Sequence, residues 1–219
     1  MKVYLRKIFG SLFLICFLNI GFLILAGEVY YKINYLLILI IFNIILCIGI
    51  NIRPLSSEKD QFKYPKLSIL LFLLLPIVII LPYLENLVFI QQFLMVWNNS
   101  VTFLSGIILL ISGGIVLIYS RLLLGKFGSS KITIEENHRL IFKGIYKCVR
   151  HPVYLGTILV FFGYALSFRA LITPLAFFFS FFILFKNRMD LEEKILKERF
   201  GKEYELYMEK TKRLIPFIY

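Results

Sequence analysis

The chain has 219 residues, of which 59% are hydrophobic, and its mean hydropathy is +0.83. This composition excludes a soluble domain, and because the apolar runs are continuous rather than alternating, it predicts membrane helices rather than a barrel. The formal net charge of +12 would suit a nucleic-acid binder. However, the lysine and arginine residues flank the apolar runs, where they set topology and meet lipid headgroups, so membrane lipids and not nucleic acid are the predicted partners.

Four long apolar runs occupy the first 124 residues, and each is near the ~20 residues that a helix needs to cross a bilayer. Two shorter runs follow, separated by Arg169 and Ala170, and they predict a tight helical hairpin that is tilted or partly embedded. The long runs are residues 8–26, 35–52, 67–89 and 101–124, and the shorter ones are residues 153–168 and 171–185. The predicted fold class is therefore all-α, a polytopic membrane helical bundle with four long spans plus a short helical hairpin, followed by a cytoplasmic C-terminal helix.

Positive charge is unevenly distributed among the loops. Residues 82–100 contain no lysine or arginine, whereas residues 121–151 contain seven and residues 186–219 contain nine. The positive-inside rule then places both termini, the second loop, the segment 121–151 and the tail in the cytoplasm. The segment before the fifth run and the tail would therefore share one membrane face and could form one active site there.

A polar segment, residues 144–156, stands out between the apolar runs. Pro152 is favoured at the first position of a helix and is predicted to start one. The unpaired N–H groups that follow would attract an anion, to which Arg150 and His151 would add donors. A purely structural account, in which Pro152 starts the helix and His151 marks the membrane interface, explains these residues equally well.

Arg188 and Glu192 are four residues apart, so they share one helix face just beyond the last apolar run. The spacing alone favours an ordinary solvated ion pair. Glu193 lies on another face and is predicted to face solvent. Cys148 and His151 have a spacing that some metal ligands use, but no second pair of suitable ligands accompanies them, and no metal is predicted.

A set of short motifs runs through residues 122–219, nearly half of the chain. They are Leu124-Gly125-Lys126-Phe127, His138-Arg139-Leu140-Ile141, Gly144-Ile145-Tyr146, Arg150-His151-Pro152-Val153-Tyr154-Leu155-Gly156, Glu192-Glu193, Phe200-Gly201, and Tyr204 with Tyr207. Taken together, these motifs resemble the signature of the isoprenylcysteine carboxyl methyltransferase family. The first three predicted spans match that family in hydropathy alone.

The resemblance implies a methyltransferase that uses S-adenosyl-L-methionine and esterifies a carboxylate of an isoprenylcysteine-like or other lipid-like substrate at the cytoplasmic membrane face. It implies that residues 121–219 form the methyltransferase core and that residues 1–120 form an anchor with possible access for the lipid. Arg188 matches the arginine that faces the substrate carboxylate and is the predicted catalytic residue. The chain departs from the family pattern at about Lys131, where some members use a glutamine near the cofactor and no glutamine is evident here. The predicted cofactor-binding residues are His138, Arg139, Leu140, Ile141, Tyr146, His151, Pro152, Val153, Tyr154 and Glu192.

Other functions stay open at the level of sequence. A related membrane enzyme could N-methylate the amine of a phospholipid headgroup, whose phosphate Arg188 could hold. An NADPH-dependent sterol-type reductase would need further cationic side chains for the cofactor phosphates, and no such group is evident. A plain membrane scaffold would bind neither cofactor.

Overall fold

The computed structural model describes residues 33–51, 81, 82, 85, 100–125 and 140–215. These residues are almost entirely α-helical, and no β-strand occurs among them. A 3₁₀ turn, Gly144–Lys147, precedes the third helix. The helices are α1 (Ile33–Asn51), α2 (Ser100–Leu124), α3 (Pro152–Ser167), α4 (Ile172–Phe200) and α5 (Lys202–Lys210). The predicted first span, most of the predicted third span, His138 and Arg139 lie outside the described residues.

The helix α2 carries large apolar side chains on a face that no other described element covers. Val101, Ile108, Ile115 and Leu122 recur every seven residues and are each 61% to 71% exposed. Such a stripe suits hydrocarbon rather than water. Both α2 and α4 are long and apolar enough to cross a membrane, and the apolar segment Leu37–Gly49 of α1 and the shorter apolar helix α3 lie beside them. The chain is thus an integral membrane protein.

The opposite face of α2 packs against α3 through glycines. A Cβ atom on Gly113 would lie 2.7 Å from the backbone nitrogen of Val160, and one on Gly156 would lie 2.6 Å from the backbone nitrogen of Leu117. Gly163 in turn faces the backbone of Leu110. The backbones approach this closely only because these positions lack side chains, as is common between membrane helices. The two helices therefore form an antiparallel pair.

Aromatic packing joins α1 to this pair. The ring of Phe42 stacks on Tyr164 at a centroid distance of 4.1 Å and meets Phe161 edge-on at 5.4 Å. At one end of the bundle, Arg121 Nη1 donates to the carbonyl of Gly49. The last turns of α1 and α2 therefore lie together, beside the beginning of α3, and we call this the site end of the bundle.

The helices α3 and α4 form the predicted hairpin, but the second arm is longer than its apolar run. No glycine or proline interrupts the chain between that run and the charged tail, so α4 continues for 29 residues. It ends at Gly201, whose φ of +52° favours glycine. The arm that seemed marginal for a span is thus one of the two longest helices among the described residues.

A carboxylate from a distant part of the chain caps the beginning of α4. Glu85 is buried, and its Oε1 accepts hydrogen bonds from the backbone N–H groups of Leu171 and Ile172 at 2.7 and 2.6 Å. Its Oε2 accepts from the backbone N–H and the hydroxyl of Thr173. The negative charge also complements the helix dipole. This contact fixes the hairpin at the end opposite the site end.

Candidate active site

The segment that precedes α3 is bonded to the C-terminal tail. Val149 and Lys212 form an isolated parallel bridge. The backbone N–H of Arg150 donates to Lys212 O at 2.8 Å, and that of His151 donates to Arg213 O at 3.0 Å. Two stretches some 60 residues apart in sequence are thereby held together at the site end. This contact agrees with the prediction that both segments lie on one membrane face.

His151 lies between two carboxylates of α4. It is the N-cap residue of α3, with Pro152 directly after it, and is only 7% exposed. Its Nε2 is 3.1 Å from Glu193 Oε1, and its Nδ1 is 3.6 Å from Glu192 Oε2. Because the imidazole contacts both glutamates, the beginning of α3 and the polar half of α4 form a single cluster.

The Arg188–Glu192 pair belongs to the same cluster. Arg188 Nε donates to Glu192 Oε1 at 3.2 Å, and the hydroxyl of Tyr154 donates to the same oxygen. The guanidinium carbon of Arg188 lies 5.9 Å from the centroid of the Tyr154 ring, which stacks on Phe185 at 4.7 Å. The two charged side chains are 26% and 23% exposed. The pair is therefore partly buried and braced by an aromatic side chain, unlike the solvated pair that spacing alone favours.

The prediction that Glu193 faces solvent is wrong. Glu193 is 8% exposed, and its carboxylate pairs with Arg150 Nε at 3.0 Å and with Arg213 Nη2 at 3.2 Å, in addition to His151. The tail folds back over this face of α4 and covers it. Arg213 was not among the predicted site residues, because a contact made by chain reversal leaves no signal in helical spacing.

Arg150 has a different role from the anion-binding one considered above. Its Nη1 donates to the carbonyls of Met208, at 3.1 Å, and Thr211, while its Nε holds Glu193. The hydroxyl of Thr211 donates back to Tyr207 O. Arg150 therefore fastens the end of α5 and the tail to the site end.

Two phenols support the 3₁₀ turn. Tyr207 OH donates to Tyr146 O at 2.7 Å, and Tyr146 OH donates to Ser120 O at 3.4 Å. Burial raises the pKa of both phenols above the ordinary tyrosine value, so both remain protonated donors at neutral pH. Tyr146 is 5% exposed and packs between α2 and α5 rather than presenting an open ring.

The structure thus brings together four of the predicted site residues and places others nearby in the chain. Glu192 contacts His151, Tyr154 and Arg188, and the Tyr154 ring lies against both His151 and Arg188. Leu140, Ile141 and Val153 are half-buried, and Pro152 is buried as the first residue of α3. Their roles in binding a cofactor stay a prediction.

The chemistry of the cluster suits a cationic ligand rich in hydrogen-bond donors. Glu192 offers a partly exposed carboxylate that Tyr154 and Arg188 hold in place. A sulfonium or ammonium group is matched by this negative charge, and hydroxyl groups are matched by its acceptor oxygens. Among the residues that the structure describes, no group of His, Cys, Asp and Glu has the arrangement of a metal site.

Comparisons with known proteins agree with the motifs. Residues 101–203 match the model of a family described as phospholipid methyltransferase. A probable protein-S-isoprenylcysteine O-methyltransferase of Oryza sativa subsp. indica is 34% identical over 88 residues, which are 40% of this chain and 46% of that protein. The protein-S-isoprenylcysteine O-methyltransferase of Saccharomyces cerevisiae (strain ATCC 204508 / S288c) is 40% identical over 88 residues, which are 38% of this chain and 35% of that protein. The resemblance to the isoprenylcysteine carboxyl methyltransferase family is confirmed.

A solved structure extends this likeness to the fold. The chain aligns with the structure of a eukaryotic intramembrane Ras methyltransferase, named isoprenylcysteine carboxyl methyltransferase. The TM-score is 0.62 over 99% of this chain and 97% of that one, at 16% identity. At this identity the match concerns the fold. In sequence, the isoprenylcysteine methyltransferase relatives match this chain over less than half of their own length.

Proposed function

We propose that the protein is an S-adenosyl-L-methionine-dependent methyltransferase that esterifies a carboxylate of an isoprenylcysteine-like or other lipid-like substrate at the cytoplasmic face of a membrane. The observation that supports this most is the contact of Arg188 and Glu192 with Tyr154 and His151 at the site end. Residues 121–219 would form the methyltransferase core, and residues 1–120 would anchor it and admit the lipid. The names of the sequence relatives support the same reaction.

Glu192 is the proposed contact for the cationic or donor-rich part of the cofactor. When bound, S-adenosyl-L-methionine supplies a methyl group on a sulfonium cation. Glu192 Oε1 is already held by Tyr154 and Arg188, so the carboxylate is oriented before a ligand arrives. The remaining predicted contacts are proposed from the sequence resemblance: His138, Arg139, Leu140, Ile141, Tyr146, His151, Pro152 and Val153.

Arg188 is the proposed contact for the acceptor carboxylate. A carboxylate is already ionised at neutral pH, so its methylation needs no general base. What the protein must supply is a fixed orientation and the removal of water from the nucleophile. Arg188 is suited to the first task because Glu192 and the Tyr154 ring restrict its guanidinium. An ion pair that stabilises the substrate carboxylate as much as the transition state does not lower the reaction barrier. Arg188 would therefore contribute positioning rather than charge stabilisation.

The membrane location suits a lipid-like acceptor. A hydrocarbon chain favours the bilayer by ~0.8 kcal/mol per methylene group, so it stays embedded while a carboxyl at its end reaches the interface. The helix α4 likewise has an apolar half followed by a polar half. Leu184 is 37% exposed in its apolar half, and Arg188 follows four residues later on the same face of the helix. A lipid lying along this helix would place its polar end near Arg188.

The substitution Arg188→Ala tests the proposed reaction. Purified protein in lipid nanodiscs, given methyl-labelled cofactor and an S-farnesylcysteine analogue, is expected to form base-labile methyl esters, and Arg188→Ala should reduce their formation by at least a hundredfold. Binding of S-adenosylhomocysteine, measured by calorimetry, should persist. Lys197→Ala removes an exposed positive charge from the same helix and should leave ester formation unchanged. Normal ester formation by Arg188→Ala would remove Arg188 from the mechanism.

The family description supports a second candidate, N-methylation of a phospholipid headgroup. In that reaction Arg188 would hold the lipid phosphate, and the product would be a methylated amine. Labelling of total lipid extract separates the two, because methyl esters are hydrolysed by mild base and N-methyl groups are not. Base-stable label in lipid, with none in the farnesylcysteine analogue, would select the second candidate.

A further inference from the structure

We propose that Glu193 is a positioning residue, which fixes the ring of His151 so that Nδ1 of the ring and Oε2 of Glu192 jointly accept a hydrogen bond from the bound methyl donor. The accepted group would be an N–H or O–H of that cofactor. This inference rests on the proposed function, but its first test, the state of the His151 ring, does not require a ligand.

The contacts of Glu193 define which ring nitrogen carries a proton. Its Oε1 accepts from Arg150 Nε at 3.0 Å and lies 3.1 Å from His151 Nε2, while its Oε2 lies 3.2 Å from Arg213 Nη2. An ionised carboxylate can only accept hydrogen bonds, so Nε2 of His151 must be the donor. In a neutral imidazole, Nδ1 is then an acceptor.

The charges of the cluster balance with a neutral ring. Among the residues that the structure describes, each carboxylate of the cluster faces an arginine, so the side-chain charges of the ligand-free cluster sum to zero when the ring is neutral. The paired groups are Arg150 and Arg213 with Glu193, Arg188 with Glu192, and Arg213 with Asp190. The structure therefore assigns His151 the neutral form with its proton on Nε2.

Glu192 provides the second acceptor. Its Oε1 accepts from Tyr154 and Arg188, whereas its Oε2 lies 3.6 Å from His151 Nδ1. That distance is too long for a hydrogen bond between the two side chains, and both atoms are acceptors in the assigned state. One donor atom at about 2.9 Å can reach both. The ammonium and the ribose hydroxyls of S-adenosyl-L-methionine are donors of this kind.

Nitrogen NMR tests the assignment without any ligand. The chain has two histidines, so protein labelled with ¹⁵N-histidine in nanodiscs gives two ring systems, and the spectrum of His151→Gln identifies the signals of His151. At pH 7 the wild type should show a protonated Nε2 and an unprotonated Nδ1 for this ring. A proton on Nδ1, or a ring protonated on both nitrogens, would overturn the proposal even if no Glu193 variant could be purified.

Calorimetry with S-adenosylhomocysteine tests the consequence for binding. Glu193→Gln should raise its Kd by roughly tenfold or more, because a charged acceptor no longer holds the ring, and Glu193→Asp should recover part of the loss. Glu198→Gln removes an exposed carboxylate from the same helix and should bind like the wild type. A folded Glu193→Gln protein with unchanged affinity would overturn the proposal.

A second ligand identifies the donor group. Methylthioadenosine keeps the ribose but lacks the amino acid. If Glu193→Gln weakens both ligands, a ribose hydroxyl is the donor, and if it weakens only S-adenosylhomocysteine, the ammonium is. Failure of the wild type to bind either ligand would instead contradict the proposed function, and the NMR result would still decide the state of His151.

Discussion

A single residue, Glu85, determines how the hairpin of α3 and α4 is held. Its carboxylate receives three backbone N–H groups at the beginning of α4 and the hydroxyl of Thr173. Glu85→Ala would leave these donors without their acceptor in a buried position, so the free energy of unfolding should fall by about 1.5–3 kcal/mol. Glu85→Gln keeps one acceptor oxygen and should lose less. The measurement is the thermal unfolding midpoint in nanodiscs.

The matched control for Glu85 is Glu198→Ala. This residue is an exposed glutamate on α4, and its removal should change the midpoint little. Equal midpoints for the wild type and both Glu85 variants would contradict the capping role. A loss in the Ala variant that the Gln variant partly recovers would agree with it.

At the site, sequence and structure agree where local spacing decides the contact. The separation of Arg188 and Glu192 by four residues predicts a shared face, and they do pair. For Glu193 the prediction from helical spacing is wrong, because its partners Arg150 and Arg213 come from other segments of the chain. Helical periodicity describes which faces exist but not what covers them. For that reason the buried charge cluster was predictable only in part.

At the scale of elements, the glycines explain why α2 and α3 form the closest pair. Gly106 and Gly113 on α2 and Gly156 and Gly163 on α3 each repeat after seven residues, so they form a smooth strip on one face of each helix. The backbone of one helix then packs against the other without intervening side chains. Dispersion contacts of this kind substitute for the hydrophobic effect, which does not drive helices together within lipid.

Gly163→Ala is a direct test of this interface. In an isolated helix the change would stabilise by roughly 0.5–1 kcal/mol, but here the new Cβ would overlap the backbone nitrogen of Leu110. The helices must separate, and a loss of about 1–3 kcal/mol in the free energy of unfolding is expected. The control is Gly49→Ala, whose Cβ would meet, among the described residues, the flexible side chain of Leu117 at 3.2 Å. Stabilisation by both substitutions would show that the interface is looser than described.

Element boundaries followed from the sequence wherever backbone chemistry sets them. Pro152 begins α3 as predicted, because its fixed φ suits the first helical position. Gly201 ends α4 with a positive φ. The continuation of α4 into the tail also follows from the sequence, since Leu191, Ile195, Leu196 and Phe200 recur at helical spacing up to Gly201. Charged residues continue a helix readily when good helix formers follow one another.

At the scale of the whole molecule, the two ends of α2 are far enough apart to lie on opposite sides of a membrane. Its 25 residues extend about 37 Å at 1.5 Å per residue, which exceeds the ~30 Å of a hydrocarbon core. Ser100 and the capped end of α4 lie at one end, and Arg121, His151 and the tail lie at the other. Because lysine and arginine concentrate in the segments at the second end, we propose that the site end faces the cytoplasm.

Cysteine labelling tests this orientation. Cys148 is exposed at the site end, and in a background where Cys16 and Cys47 are alanine it is the single thiol. A membrane-impermeant maleimide should label it in inside-out vesicles and not in sealed right-side-out vesicles, because the reagent cannot cross lipid. A second protein, with Ser100→Cys and Cys148→Ser in the same background, should show the reverse pattern. Labelling of Cys148 from the outside would place Arg188 and Glu192 on the non-cytoplasmic face, where a cytoplasmic methyl donor could not reach them.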